Sequence, residues 1–354
     1  MTKIAFYANH LSERGTGVAL YDYARHARAV LGHDSVVFYD RNHAENSAAV
    51  IRRFSAAFEV IPCAGFAEAD ATLVREGCDL VYAIKAGRRD GVVSRHVPTM
   101  VHAVFPTSLR EVHGSSYAFV SDWLAQWCSG GRVPFVPHIA SIGDNDDDMR
   151  RALGIGREAL VFGCYGGRTS FDIGFVRNQV VPRVLDSLDD VHFIFMNIEP
   201  FISHDRVTFM PGTADVAVKT AFINTCDAML HARLRGETFG IAVAEFSLRG
   251  KPVLTYGGSR ERAHLAALGD ASLTYGDAGE LYDLIAGFDP GAASACETYR
   301  RLYAPEPVMA QFAEHLIAPA LRNGLDGARK GLGVRPWHAA RLPLSKLRVA
   351  VTGF

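Results

Sequence analysis

No stretch of this chain has the look of a metal cluster, a redox pair or a membrane span. The six cysteines, Cys63, Cys78, Cys128, Cys164, Cys226 and Cys296, stand far apart. None forms a C-x-x-C pair, and no His/Cys group has zinc spacing, so they read as small core residues in a reducing cytoplasm. No apolar run approaches the ~20 residues that cross a bilayer. The formal net charge is −1, which leaves no global field to argue for nucleic acid. The opening Met-Thr-Lys-Ile-Ala-Phe-Tyr reads as a strand in place of a signal peptide. Internal repeats and low-complexity segments are missing too.

What is present is an ordinary globular composition, 49% hydrophobic and 21% charged over 354 residues. That length exceeds the size at which one core stops growing, so two domains are expected. Short β-rich runs at 3–8, 35–39, 79–83, 99–102 and 118–120 alternate with helical patterns. A second series follows at 160–164, 191–196, 207–209, 228–231, 253–255 and 272–275. The alternation predicts an α/β protein with two Rossmann-like, doubly wound parallel-sheet domains facing across a cleft. Pro134, Pro137 and the acidic run 144–148 mark the boundary, giving domains at 1–138 and 139–318. A C-terminal helix and basic tail take 319–354. After Asp326 the tail has no acidic residue but carries Arg329, Lys330, Arg335, Arg341, Lys346 and Arg348. It reads first as a solvated extension. The alternative is peripheral contact with anionic lipid at the inner face of the membrane, with Trp337, Leu342 and Leu344 as anchors.

Two glycine-bearing segments carry the chemistry. Between the first strand and a helix beginning near Val18 lies Ser12-Glu-Arg-Gly-Thr-Gly, where the amides of Gly15, Thr16 and Gly17 are free to approach an oxyanion. A dinucleotide fingerprint needs a small residue at position 20. Leu20 stands there, which disfavours NAD. The second segment, 235–254, sets Glu237 before a Thr238-Phe239-Gly240 turn and Glu245 inside an Ala-rich helix ended by Gly250 and Pro252. Eight residues is a little over two helical turns, so both carboxylates can face one cleft. A carboxylate beside a phosphate pocket needs hydrogen-bond donors, and sugar hydroxyls supply them. These residues predict a nucleotide-sugar site.

The same segment resembles the Glu-x7-Glu signature of retaining GT-B glycosyltransferases of family 4, in Glu237, Phe239, Gly240, Glu245, Gly250, Pro252 and Val253. Gly257, Gly258 and Glu261 are similar to that family's Gly-Gly-x-x-Glu loop. The resemblance implies a GT-B fold and metal-independent transfer, with retained configuration, of a hexose-type sugar from a nucleotide diphosphate donor to a hydroxyl acceptor. It implies that Glu237 holds the transferred sugar and Glu245 the ribose. The amides of Thr238, Phe239 and Gly240, with Arg168 in a Gly-Gly-Arg turn, would meet the diphosphate, and the first glycine loop would lie close by. Met210, in Phe209-Met-Pro-Gly, falls in the loop that holds the base. His102, at a strand end, is similar to the family's sugar-contacting histidine, and Ser121 to a serine whose commonest role is helix capping. Two departures stand out. Ile173 replaces the usual lysine, with Arg177 one turn on as a substitute, and the Asp-x-Asp pattern at 146–148 falls in the linker, where it reads as a helix-capping cluster. Arg233 and Arg235 serve either the diphosphate or the surface. An epimerase- or phosphorylase-like enzyme, or a silent nucleotide-sugar-binding protein, remain as alternatives.

Overall fold

The computed structural model describes residues 1–291 and 296–327, and the basic tail discussed above lies outside them apart from its first residue. The first domain runs β1 (Lys3–Ala8), α1 (Gly15–Ala29), β2 (Asp34–Asp40), α2 (Ala48–Ser55) and β3 (Glu59–Cys63). It continues through α3 (Phe66–Leu73), β4 (Leu80–Lys85), β5 (Thr99–Ala103), β6 (Ser116–Phe119) and α4 (Asp122–Ser129). Every pairing in its sheet is parallel. β1, β2 and β4 are near-continuous apolar runs buried on both faces, as strands covered on two sides by helices must be. Ser121 caps α4, its side chain accepting from the Leu124 amide at 3.2 Å.

The second domain opens with β7 (Leu160–Tyr165), α5 (Val181–Ser187), β8 (Val191–Met196), β9 (Val207–Met210) and α6 (Val216–Thr225). Next come β10 (Ala228–His231), β11 (Gly236–Glu237), α7 (Ile241–Leu248), β12 (Val253–Tyr256) and β13 (Glu261–Arg262). α8 (Ala263–Leu268), β14 (Ser272–Tyr275), α9 (Ala278–Ala286) and α10 (Glu297–Leu302) complete it. Its main sheet is also wholly parallel.

The two sheets have the orders β3-β2-β1-β4-β5-β6 and β14-β12-β10-β7-β8-β9. Renumbered within each domain, both read 3-2-1-4-5-6, the doubly wound order. Ligands in such sheets bind beyond the carboxyl ends of the strands where the order reverses. The reversals fall between β1 and β4 and between β7 and β10. Beyond the carboxyl ends of β1, β7 and β10 come Gly15 to Gly17 in the first turn of α1, Gly166 to Arg168, and Arg233 to Gly240.

Several boundaries differ from those expected. α1 begins at Gly15, so the two glycines form its first turn and do not precede it. β3 was not anticipated, because it is a half-exposed edge strand carrying Pro62, which blurs its pattern. Residues 146–148 cap no helix. Asp148 accepts from the Arg150 amide at 2.8 Å in a turn, and Asp146 pairs with Arg249 at 2.8 Å.

The domain division also needs correcting at its end. After Tyr303 the chain recrosses to the first domain as α11 (Pro305–Phe312), a wide turn at Ala313–Ile317, and α12 (Ala318–Asn323). Val308, Met309, Phe312, Leu316, Ile317 and Ala320 join the core built on Ile4, Phe6 and Tyr82, so the second domain closes near 303 and not at 318. Phe312 stacks on Tyr23 with centroids 5.0 Å apart, and Ser116 Oγ donates to the Leu316 carbonyl at 2.8 Å. The two crossings are tied together by the Ala140 amide, which donates to the Tyr303 carbonyl at 2.8 Å. Phe312→Ala is expected to lower the unfolding free energy by about 3–5 kcal/mol. Chemical denaturation checks this, and a loss below about 1 kcal/mol would mean that the returning segment is only loosely docked.

Candidate functional site

The site is built on the loop from β10 to α7. Gly236 has φ 77°, and a Cβ there would lie 2.0 Å from the Glu261 carbonyl oxygen, so only glycine fits. That closeness lets β11 pair with β13, Gly236 beside Glu261 and Glu237 beside Arg262. The Glu261 amide donates to the Arg235 carbonyl at 2.8 Å, and its buried carboxylate accepts from Arg235 Nε at 2.7 Å. Gly240, with φ 92°, then turns the chain into α7.

Glu237 is thereby fixed in place. Its carboxylate lies 2.7 Å from Arg233 Nη1 and 3.5 Å from His231 Nε2. Burial alone would raise its pKa, but the close approach of His231 and the Arg233 charge outweigh it and bring the group down to about 2. Behind it, His231 Nδ1 meets Thr255 Oγ1 at 2.8 Å, and the same oxygen meets His264 Nε2 at 3.1 Å. Burial holds His264 down at about 3. Glu237 is thus a carboxylate backed by the hydrogen-bonded chain His231, Thr255 and His264.

Glu245 behaves differently. It sits on α7, 1% exposed, with Oε1 2.5 Å from Lys219 Nζ and Oε2 without a partner. Burial and the charge of Asp22 push its carboxyl well up, while burial brings Lys219 down to about 8. Asp22, on α1, is itself raised to about 6 by burial, against the pull of Arg53 and Lys219. This mixed cluster joins α1 and α2 of one domain to α6 and α7 of the other. The two glutamates have separate partners, and only Glu245 lies on the helix, so helical spacing does not relate them.

Other contacts close the cleft. A Cβ on Gly15 would sit 3.4 Å from Ile241 Cδ1, which sets the N-terminus of α1 against that of α7. Thr16 is half-buried there, and Gly17 touches the Ser12 carbonyl so closely that a Cβ would lie 2.4 Å away. Arg235 lies over the Phe105 ring of the first domain at 5.2 Å. On the far side of β7, Arg168 edges a cavity of about 310 Å³ with Asn197, Glu199, Phe209, Met210 and Gly212. Asn197 has φ 57°, unusual for a residue with a side chain, and its Nδ2 donates to the Gly166 carbonyl at 2.7 Å. Arg168 is exposed and pairs loosely with Glu199 at 3.4 Å.

No protein-family model and no curated protein matches the sequence. Solved structures match in fold. HepE of Anabaena in complex with UDP-glucose aligns with a TM-score of 0.58 and 16% identity, over 91% of this chain and 98% of that one. AviGT4, a glycosyltransferase involved in avilamycin A biosynthesis, gives 0.60 and 13% over 92% and 100%. WaaG, a glycosyltransferase involved in lipopolysaccharide biosynthesis, gives 0.60 and 15% over 87% and 98%. The fold is GT-B.

Within the GT-B frame some expected site residues converge and others do not. Gly15, Thr16, Gly17, Glu237, Thr238, Gly240 and Glu245 gather where the domains meet, while Arg168 and Met210 share the cavity beside β7. Phe239 contributes backbone only, since its ring packs on His138, Tyr299 and Tyr303. The structure buries His102, which the resemblance made a sugar-contacting and catalytic candidate. It is fully buried, with Nδ1 2.7 Å from the Tyr82 hydroxyl and Nε2 donating to the Val136 carbonyl at 2.8 Å. Burial lowers it to about 4, so it is a neutral tie between β5 and the domain crossing. Ile173 lies in the core, and Arg177 stacks over Phe201 at 5.0 Å.

Sequence reasoning missed Lys219, Asp22 and His231. Each occupies an unremarked position on a regular element and acquires its partner only through packing, so no motif announces it. Among the described residues His10, His43 and Glu45 form one group with metal-ligand chemistry. However, Arg14 already pairs with Glu45, and the Glu45 amide donates to His43 Nδ1 at 3.2 Å. No described helix is long and apolar enough to cross a membrane.

A carboxylate depressed in the fold stabilises it above its unfolded pKa and loses that contribution as the pH falls through its folded value. For Glu237 the window runs from 4.5 down to about 2. Glu237→Gln should therefore lose roughly 2–3 kcal/mol at neutral pH and show a flatter acid limb in that window. Denaturant titrations at stepped pH check this, and parallel wild-type and variant profiles would contradict it.

Proposed function

We propose that the chain is a retaining glycosyltransferase resembling family 4, which moves a hexose-type sugar from a nucleoside diphosphate donor to a hydroxyl acceptor. The observation that carries the reading is Glu237, a fixed carboxylate at the β10 end in a GT-B fold, beside the bare N-terminus of α7. A carboxylate of that kind accepts hydrogen bonds from sugar hydroxyls, and helix N-termini attract phosphate. HepE, in complex with UDP-glucose, supports a nucleotide-sugar partner. The acceptor is a glycan, a lipid-linked sugar or a small molecule.

In this reading Glu237 positions the transferred sugar. The amides of Thr238 to Gly240, those of Gly15 to Gly17, and Arg168 take up the charge that grows on the departing diphosphate. The bond from the anomeric carbon to the phosphate oxygen breaks as the acceptor oxygen bonds on the same face. The acceptor proton passes to the leaving phosphate. Met210 lies at the base cavity, and Glu245 receives the ribose. No metal is needed on the diphosphate, because arginine and the helix ends balance its charge. The setting is the cytoplasm, where the six free thiols stay reduced, with the basic tail as a peripheral lipid contact.

Labelled donor, supplied with and without hydroxyl acceptors, tests the proposal. Transfer that survives EDTA supports it, an isomerised donor would mean an epimerase, and intact donor under saturating binding would mean a silent binder. Arg168→Ala should weaken nucleoside diphosphate binding ten- to a hundredfold, roughly 1.5–3 kcal/mol, and leave free nucleoside binding unchanged. Equal losses for both ligands would remove Arg168 from the phosphate. Glu237→Ala should lower kcat, because it touches the reacting sugar, whereas Glu245→Gln should mainly raise the donor KM. Wild-type kinetics in both variants would make the pair a structural one.

A further inference from the structure

We propose that Thr255 and His264 are positioning residues for Glu237. A one-way hydrogen-bond chain through them fixes which nitrogen of His231 carries its proton, and that nitrogen holds one carboxylate oxygen in place. The inference rests on the glycosyl-transfer reading above and adds two residues to it. Both are fully buried and lie behind the carboxylate. The ladder between β10 and β12 sets His231 beside Thr255, and the Tyr275 hydroxyl donates to the His231 carbonyl at 3.0 Å. The backbone beneath the imidazole is therefore held from two sides. His264 is the second residue of α8, with its ring centroid 4.8 Å from that of His231. Gly240 leaves room for it, since a Cβ there would lie 3.3 Å from His264 Cβ and 3.4 Å from Glu237 Cβ.

The direction of the chain follows from counting protons. The Thr255 hydroxyl carries one hydrogen and meets two imidazole nitrogens, His231 Nδ1 at 2.8 Å and His264 Nε2 at 3.1 Å. It therefore donates to one and accepts from the other. Suppose that it donated to His264. The single N–H of His264 would then sit on Nδ1, which is buried without a partner. His231 would spend its proton on Thr255 and turn a lone pair at Nε2 toward Glu237 Oε1, 3.5 Å away, where like charge repels. The opposite direction removes that repulsion. His264 Nε2–H donates to Thr255, the Thr255 hydroxyl donates to His231 Nδ1, and His231 Nε2–H faces the carboxylate. The hydrogen bond at one imidazole nitrogen thus decides which proton the other carries. Arg233 Nη1 reaches the same oxygen at 2.7 Å, so the protein contacts converge on Oε1 and leave Oε2 to a sugar hydroxyl. Without the Thr255 hydroxyl, His231 is free to exchange tautomers, and Oε1 loses the N–H that steadies it.

Proton–nitrogen correlation spectra of the full chain, labelled isotopically at histidine, read the tautomers. The two sets of signals are assigned by their loss in His231→Gln and His264→Gln. In wild-type protein both residues are expected with the proton on Nε2 and none on Nδ1. A proton on Nδ1 of either overturns the proposal, and this readout needs no variant at Thr255. Thr255→Val, which removes the hydroxyl at little change in volume, should mix the His231 tautomers. It should also lower kcat for turnover of labelled donor roughly tenfold, with the donor KM nearly unchanged. Thr255→Ser should restore both the tautomer and the rate. Wild-type kcat in Thr255→Val overturns the proposal, as does a loss in Thr255→Ser as deep as in Thr255→Val, which would make the residue a packing group. Wild-type protein that shows the expected tautomers but turns over no nucleotide sugar overturns the glycosyl-transfer reading and leaves the hydrogen-bond chain standing.

Discussion

The close approach of Gly236 to Glu261 is the constraint on which the site depends. A side chain at Gly236 would meet the Glu261 carbonyl at 2.0 Å, so β11 and β13 pair only because that side chain is missing. Their pairing sets the direction of Glu237, and the Arg235–Glu261 contact locks the loop at its other end. Gly240 can then start α7 with no side-chain cap, leaving its first amides without intrahelical partners. A fixed carboxylate and an open helix end arise together from one backbone contact.

Around this rigid loop the charges are arranged with unequal mobility. Glu237 is strongly anionic because Arg233 and His231 lie against it, and the pairing resists all but acid conditions. The Asp22, Arg53, Lys219 and Glu245 cluster is different, since burial brings Asp22 to about 6 and Lys219 to about 8. These groups come from both domains. Buried charges seldom add stability relative to apolar packing, so their value lies in what they present to the cleft. The double crossing at Ala140 and Tyr303, and the Phe239 ring against His138, keep those faces in register.

Much of the architecture was legible in the chain. The strands at 3–8, 191–196 and 228–231 were read to the residue, because parallel strands buried on both faces are continuous apolar runs with sharp ends. The Glu237 loop was legible because glycines and a proline punctuate it. Properties that arise only in three dimensions were not. The return of residues 305–323 to the first domain leaves no mark, since the helical pattern is the same whichever core it joins. His102 reads as a ligand group by its place at a strand end, yet Tyr82 and Val136, distant in sequence, take both of its nitrogens. Lys219 lies among residues of no special pattern, and only the packing of α6 on α7 gives it Glu245.

The central claim is that this GT-B cleft recognises a nucleoside diphosphate sugar through a diphosphate-facing helix end and two carboxylates. The most direct test is a thermal-shift titration of the full chain against UDP, GDP, ADP and their sugars. At ~100 times its dissociation constant a true donor adds about 2.7 kcal/mol of stability. The account predicts that one base series raises the melting temperature in proportion to the logarithm of ligand concentration, with the diphosphate sugar at least as effective as the free nucleoside. If no nucleotide or nucleotide sugar shifts the melt at millimolar concentration, the cleft is not a donor site and the account is wrong.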